Sequence, residues 1–453
     1  VTSKPGAPVS VIVGLGETGL SVAKYFARTG EAFKVVDSRE NPPGLEQLQQ
    51  LYPQADVELG EFKLATFLAA RQLVVSPGVS LKTDAIAAAR RAGVVITGDI
   101  DIFSKQVTAP IIAVTGSNGK STVVAIVAEI LRKAGVQFGL GGNLDGANFK
   151  PALDLLQEAA KEMYVLELSS FQLETTERLG AAIAVILNVS PDHMDRYANL
   201  DEYSKAKQRI FNGCKQVLVN RDDASGNPPL GLDLPVWSFG LGKPAGSETG
   251  IIDAAGQDYL ATDSEKMVAV QDLKLVGQHN IANALAAMAL TLAVGIDTKS
   301  IANAVRGFAG LPHRCQWVAN INGIAFYNDS KGTNVGATMA AIEGLGQRLT
   351  GQIVLIAGGV GKDADFSMLV PVVKKWVKAV VLIGQDAKKI ADQFDGDMQI
   401  EFASDMPQAV SSALRRAAKG DAVLLSPACA SFDMFDNFQH RGQIFMNTVE
   451  SMR

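Results

Sequence analysis

Cysteine is scarce in this chain: Cys214, Cys315 and Cys429 are the three present in 453 residues. They are scattered and odd in number, which excludes a disulfide framework and points to a reducing compartment. Histidine is nearly as rare, with His193, His279, His313 and His440 the four available, so imidazole chemistry has few candidates. Long hydrophobic runs are missing. Stretches such as Ala181 to Val189 and Ala284 to Val294 fall far short of the roughly 20 residues that cross a bilayer. The opening residues lack the charged-then-apolar pattern of a leader. The expectation is a cytoplasmic protein with no membrane partner. Basic charge is not in excess either, and a net charge of −5 argues against a nucleic-acid partner.

What is present is an ordinary globular composition, 47% hydrophobic and 20% charged. The length suits about three domains with cores of their own. The most informative stretch is Val114-Thr115-Gly116-Ser117-Asn118-Gly119-Lys120-Ser121-Thr122. The apolar run Ile111-Ile112-Ala113 precedes it, and Val123 to Leu131 follows as a helix. A strand, a glycine loop and a helix in that order present backbone amides and a positive dipole end to a polyphosphate. Lys120 reaches the terminal phosphates, and the Ser121 or Thr122 hydroxyl holds Mg²⁺. The spacing is shorter than the eight-residue P-loop pattern, and a turn that binds nothing is the competing reading. The lysine, the hydroxyl and the flanking elements weigh against it.

Upstream, Val9 to Val13 reads as a buried strand, Gly14-Leu15-Gly16-Glu17-Thr18-Gly19 as a GxGxxG loop, and Leu20 to Arg28 as a helix. Val35-Val36-Asp37 closes a second strand at a distance suited to a ribose. Alone, this reads as an NAD-dependent oxidoreductase. No hydride partner follows, however, and a domain holding a nucleotide diphosphate fits as well. Leu73-Val74-Val75 runs into the rigid turn Ser76-Pro77-Gly78-Val79.

In the middle, Gly141-Gly142-Asn143 reads as a turn. The strand Met163 to Leu166 ends on Glu167, where a Mg²⁺ ligand or a helix N-terminal charge is wanted. The next strand empties into Ser190-Pro191-Asp192-His193-Met194-Asp195-Arg196, too dense in chemistry for plain surface. Tyr203, Lys207 and Ile210 share one helical stripe, where a lysine either snorkels or works. Ala224 to Met267 reads as short strands and loops at an edge. Asn280 and Asn283 lie one turn apart, placed to point at one ligand. Leu311 to Arg314 reads as a linker. Beyond it, parallel strands end in Asn328 to Asn334, in Gly358-Gly359-Val360-Gly361-Lys362, and in Ser426-Pro427. Lys362, with no hydroxyl after it, reads as a charge aimed at a carboxylate.

Thr115 to Ser121, Glu167, His193, Gly277-x-His279-Asn280-x-x-Asn283 and Pro312-His313-Arg314, in this order, resemble the Mur ligases. That family joins an amino acid to a UDP-linked peptidoglycan precursor using ATP. Leu166 to Glu174, Asp192 to Tyr197 and Leu425 to Ser431 resemble its D-glutamate-adding members. The resemblance implies three α/β domains: a Rossmann-like domain for the UDP substrate over 1–98, a P-loop ATPase-like domain over 99–311, and a Rossmann-like amino-acid-binding domain over 312–453. It implies that Gly16, Glu17, Thr18, Asp37, Ser38, Arg39, Ser76, Gly78, Asn143 and His193 bind UDP-N-acetylmuramoyl-L-alanine. ATP would be held by Gly116, Ser117, Asn118, Gly119, Lys120, Ser121, Thr122, Asn283, Arg314, Asp329 and Lys331. D-glutamate would meet Thr333, Lys362, Ser431 and Phe438. One Mg²⁺ would sit near Ser121 and Glu167, and a second at His193 and Lys207. An ammonium ligates no cation, so Lys207 would carry a CO₂-derived carbamate. Lys120, His193 and Lys207 would be the catalytic set of a monomer that activates a carboxylate as an acyl phosphate. Gly332 departs from the alanine expected of the family, and Phe432 from a leucine. The alternatives are a sister ligase with another amino acid or acceptor, and the NAD-dependent oxidoreductase.

Overall fold

The computed structural model describes residues 8–143, 150–275, 277–394, 396 and 398–452. Residues 1–7, on which part of the leader expectation rests, lie outside that set. Three sheets follow one another along the chain. The first comprises β1 (Ser10–Val13), β2 (Phe33–Asp37), β3 (Asp56–Leu59), β4 (Gln72–Val75) and β5 (Val95–Thr97), in the order β3-β2-β1-β4-β5. All its pairs are parallel. The strand order reverses between β1 and β4, so the glycine loop and the turn after Val75 diverge there and open a crevice at the strands' carboxyl ends.

The second sheet comprises β6 (Ile111–Thr115), β7 (Phe138–Gly142), β8 (Met163–Glu167), β9 (Ile183–Ile186), β10 (Val217–Asn220), β11 (Val236–Phe239), β12 (Glu248–Ala254), β13 (Gln257–Thr262) and β14 (Lys266–Ala269). Their order is β14-β13-β12-β11-β10-β9-β6-β8-β7. The strands β6, β8 and β9 are buried at every residue, as a parallel sheet covered on both faces requires. Side chains alternate faces along β6: Ile112 and Val114 join the core under the helices Lys120–Lys133 and Gln278–Ala293, and Ile111 and Ala113 join the other. That second core is continuous with the first domain, running from Ile12 and Phe26 to Leu153 and Tyr164. The edge read from Ala224 to Met267 holds β11 to β14, with β12, β13 and β14 antiparallel.

The third sheet comprises β15 (Gln316–Ile321), β16 (Ile324–Asn328), β17 (Ile353–Gly358), β18 (Val377–Ile383), β19 (Gln399–Phe402) and β20 (Ala422–Leu425), ordered β15-β16-β20-β17-β18-β19. The parallel strands expected here are joined by an unexpected antiparallel one, β15. Its cause is legible afterwards: Asn322 and Gly323 have φ of 53° and 83°, the turn chemistry of a tight hairpin. The apolar clusters on this sheet draw only on residues from Cys315 onward. Among the described residues, no helix is long and apolar enough to cross a membrane.

Candidate active site

The buried strand β6 delivers the phosphate loop. Gly119 has φ 85°, and a Cβ there would come within 2.4 Å of Asn283 Oδ1. Glycine therefore permits both the left-handed turn and the close approach of the helix Gln278–Ala293. The loop is fixed from below: Asn188 Oδ1 accepts from the Asn118 amide at 2.8 Å, and the Ser117 hydroxyl donates to Ser190 O at 3.0 Å. Lys120 Nζ folds over the loop, donating to Gly116 O at 2.8 Å and Ser117 O at 3.1 Å. Asn280 and Asn283 bond one another at 3.3 Å, so their amides form a pair.

Behind the loop lies a buried ionisable cluster. Glu167 ends β8 and is 2% exposed, and its Oε2 has no hydrogen-bond partner. Burial raises its carboxyl pKa, opposed by Lys120, Ser121 and Arg314. Lys207 is 1% exposed, which rules out snorkelling. Its Nζ donates to Gly116 O at 3.0 Å and lies 4.5 Å from the centre of the Tyr203 ring. Burial, then Lys120, drives its pKa well below the ordinary value, so the amine is readily uncharged. His193 has φ 58°, and its ring lies 6.4 Å from that of Tyr203. Burial, then Lys362 and Lys120, lowers its pKa against the pull of Asp192, which keeps the imidazole in its ligand form.

The third domain closes the cavity. Arg314 Nη2 donates to Ser121 Oγ at 2.8 Å. Lys362 Nζ lies 3.6 Å from Asp192 Oδ1. Asn334 caps the helix Val335–Gly346 and donates to Asn118 Oδ1 at 3.2 Å and Asp192 Oδ2 at 3.3 Å. The cap is a familiar sequence signal, but nothing local announces the bridge. Asp329 is held by the Cys315 amide at 3.0 Å and the Ser426 hydroxyl at 2.7 Å, and burial pushes its pKa up to about 6. A Cβ on Gly332 would sit 2.6 Å from Asp329 Oδ2 and 2.8 Å from Ser426 Oγ. A methyl at this position would require the Asp329 and Ser426 side chains to shift. Phe432 is exposed.

The resulting cavity, about 490 Å³, is lined by Ser117 to Thr122, Asn143, Glu167, His193, Asn283, Arg314, Asp329, Lys331, Thr333 and Lys362. Gly116 and Lys207 lie behind it. The residues expected to grip an amino acid are not all together. Phe438 faces an adjoining cavity that shares Ser121, Arg314 and Lys331 with this one, with Lys331 Nζ 3.9 Å from its ring centre, and buried Ser431 lines neither.

The crevice over the first sheet forms another cavity of about 590 Å³. Gly16, Glu17, Thr18, Asp37, Ser38, Arg39, Ser76, Gly78 and Asn143 all line it, together with Phe62, Lys150 and Gln172, which the sequence did not single out. Asp37 accepts from the Leu15 amide at 2.7 Å and from Arg39 Nη2 at 2.7 Å. Burial alone would raise its pKa, but the bonds from Arg39 and Leu15 outweigh it and leave the carboxyl low. Asn143 lines both cavities.

Family models match in the same order: the MurD-like N-terminal domain of Mur ligases over residues 9–98, the Mur ligase middle domain over 114–291, and the Mur ligase glutamate ligase domain over 313–429. The chain belongs to the Mur ligase family. It is 50% identical over 442 residues to the UDP-N-acetylmuramoylalanine--D-glutamate ligase of Pseudomonas aeruginosa, covering 98% of each chain. The enzyme of that name from Nitrosococcus oceani is 48% identical over 446 residues, covering 98% of this chain and 97% of that one. Among solved structures, the UDP-N-acetylmuramate-alanine ligase of Thermotoga maritima is 18% identical with a TM-score of 0.61, covering 98% of this chain and 100% of that one. The MurF ligase of the same organism, solved with ADP, is 15% identical with a TM-score of 0.61, covering 100% and 97%. These two speak for the fold. As a Mur ligase, this chain has the three-domain α/β architecture with parallel Rossmann-like sheets.

Proposed function

We propose that this chain is an ATP-dependent ligase that adds D-glutamate to UDP-N-acetylmuramoyl-L-alanine in cytoplasmic peptidoglycan precursor synthesis. The observation that carries this is the near-full-length identity of 50% combined with two cavities that share Asn143 in their linings. The proposed division of labour assigns 1–98 to the UDP substrate, 99–311 to ATP and 312–453 to the amino acid. The substrate's diphosphate lies along Gly16 to Thr18, and its carboxylate passes Asn143 into the other cavity. There the carboxylate oxygen attacks the γ-phosphorus of ATP, and ADP leaves. The D-glutamate amine then attacks the acyl phosphate carbonyl, and phosphate leaves. Lys120 and Lys331 offset charge building on the transferred group. Arg314, Asn283 and Asp329 hold the rest of the nucleotide, and Thr333 and Lys362 orient the D-glutamate. Ser431 and Phe438 belong to that pocket only if the third domain shifts.

The residues fit Mg²⁺. Glu167 Oε2 is buried without a partner, and a hard cation takes oxygen ligands. Among the described residues no three acidic, His or Cys side chains converge into a metal site, so a bound ion would draw further oxygen ligands from the nucleotide. Ser121 and Glu167 would hold one ion, and His193 and a carbamate on Lys207 a second. Bound there, the metal neutralises oxygen charge on the transferred phosphoryl group. The oxidoreductase reading gives way to the three Mur ligase domains that match the chain in order. An amino-acid panel in an ATP-dependent phosphate-release assay with UDP-N-acetylmuramoyl-L-alanine tests the proposal. D-glutamate should stand out; release with L-alanine instead would shift the reading to a sister ligase. Lys120→Ala should abolish ADP release.

A further inference from the structure

Arg196 joins the two cavities by a route that the reaction as described leaves unused. Its Nη1 donates to Pro77 O at 2.8 Å, and its Nη2 donates to Val79 O at 3.2 Å and Glu174 Oε2 at 2.6 Å. Pro77 and Val79 line the cavity over the first sheet. Their turn is tied at its start to the glycine loop, for the Ser76 hydroxyl donates to Gly14 O at 2.9 Å. The guanidinium carbon also lies 4.1 Å from the centre of the Phe171 ring. That same ring meets the His193 ring nearly edge-on, with centres 4.8 Å apart. A planar fork set against two carbonyls, a carboxylate and a ring has one geometry, and a lysine does not reproduce it. The His193 backbone is held by its own bonds, accepting from the Arg196 and Tyr197 amides and donating to Asp192 Oδ1, so the Phe171 contact bears on the ring.

We infer that Arg196 is a positioning residue: through Phe171 it sets the His193 ring according to how the Pro77–Val79 turn is seated on the UDP substrate. This rests on the ligase reading above and adds a coupling to it. A plain staple between domains is the competing explanation, and the two differ in which kinetic constant moves. A staple affects folding or substrate affinity. A positioning residue affects turnover with substrate already bound.

The test uses the full chain with Arg196→Lys, Phe171→Leu and the double variant. For each, kcat, KM for UDP-N-acetylmuramoyl-L-alanine, its Kd by calorimetry without ATP, and the unfolding temperature are measured. Phe171→Leu leaves the three bonds of Arg196 in place and removes only the ring between it and His193. Both single variants should lower kcat about tenfold to a hundredfold, the scale of a displaced reacting group, with Kd little changed. The double variant should be no worse than the poorer single one, because both cut the same path. A raised KM or Kd with normal kcat in Arg196→Lys would overturn the inference, as would normal kcat in Phe171→Leu. Should Arg196→Lys fail to fold, Phe171→Leu decides alone by the same criterion. A wild-type chain that forms no D-glutamate amide would instead sink the ligase reading.

Discussion

The third domain and the first meet the central domain in opposite ways. The first shares a continuous apolar core with it, in which Ile12 and Phe26 belong to the same cluster as Leu153 and Tyr164. The third keeps its apolar clusters to itself and reaches across with polar bonds: Arg314 to Ser121, Lys362 to Asp192, and Asn334 to Asn118 and Asp192. Apolar burial is non-directional and hard to reverse, whereas polar bonds exchange readily with water and ligand. The first seam therefore has an apolar core that the third lacks among the described residues. The polar seam is also where the catalytic candidates lie, with Arg314, Asp329, Lys331, Thr333 and Lys362 lining the cavity over the phosphate loop.

Breaking the apolar seam should give the largest effect on stability. Leu153 is fully buried in the helix Ala152–Leu155, which packs on the helix Glu17–Thr29. Leu153→Ala should cost about 3 kcal/mol, read as a lower urea midpoint with unchanged slope. Asp192→Asn should behave oppositely. Asp192 takes both Lys362 and Asn334 from the third domain. Burial would raise its pKa, yet His193, Lys362 and Lys120 hold it below the carboxylate range, so its charge is present at neutral pH. Removing it should lower kcat/KM for D-glutamate by about 2 kcal/mol, or roughly thirtyfold, with a small change in midpoint. Equal losses of stability in both variants would end the contrast between the seams.

The contrast also marks what could be read from the sequence. The strands β6, β8 and β9 were legible because burial on both faces writes itself as an unbroken apolar run. Both glycine loops were legible because phosphate chemistry constrains local spacing. The hairpin at Asn322-Gly323 carried a local signal that the expectation of parallel strands masked. The bonds of Asn334 and Arg196 carried none, since their partners are distant in the chain. Lys207 shows a subtler limit: helical period gave its face, but depth of burial depends on what packs over it. The departure of Gly332 was visible, and its meaning became physical only beside Asp329 and Ser426.

A smaller effect should come from the stability that the polar seam gives up for its charges. Asp329 has its pKa raised from 3.8 to about 6, chiefly by burial. A carboxyl raised in the folded state contributes stability that is fully present below its unfolded value and lost as pH rises through the folded one. Near pH 8 the wild type therefore carries an ionised, buried Asp329. Asp329→Asn keeps the shape and an acceptor for the Cys315 amide. It should leave stability near the wild-type value at pH 4 and raise it by about 1–2 kcal/mol at pH 8, because loss of the Ser426 bond to Oδ2 offsets part of the roughly 3 kcal/mol that the shift represents, while weakening ATP binding. A pH-independent difference in unfolding free energy would show that burial is not what perturbs this group.

The smallest effect sharpens the comparison from the other side. Lys82 and Glu202 form an ion pair of 3.1 Å across the apolar seam, with side chains 66% and 44% exposed. If that seam is held by its core, the pair adds almost nothing, because exposed pairs are screened and lose side-chain entropy. Lys82→Ala should shift stability by less than about 0.5 kcal/mol and leave kcat unchanged. A loss comparable to that of Leu153→Ala would mean that charge, too, holds the first domain in place, and the seams would no longer differ in kind.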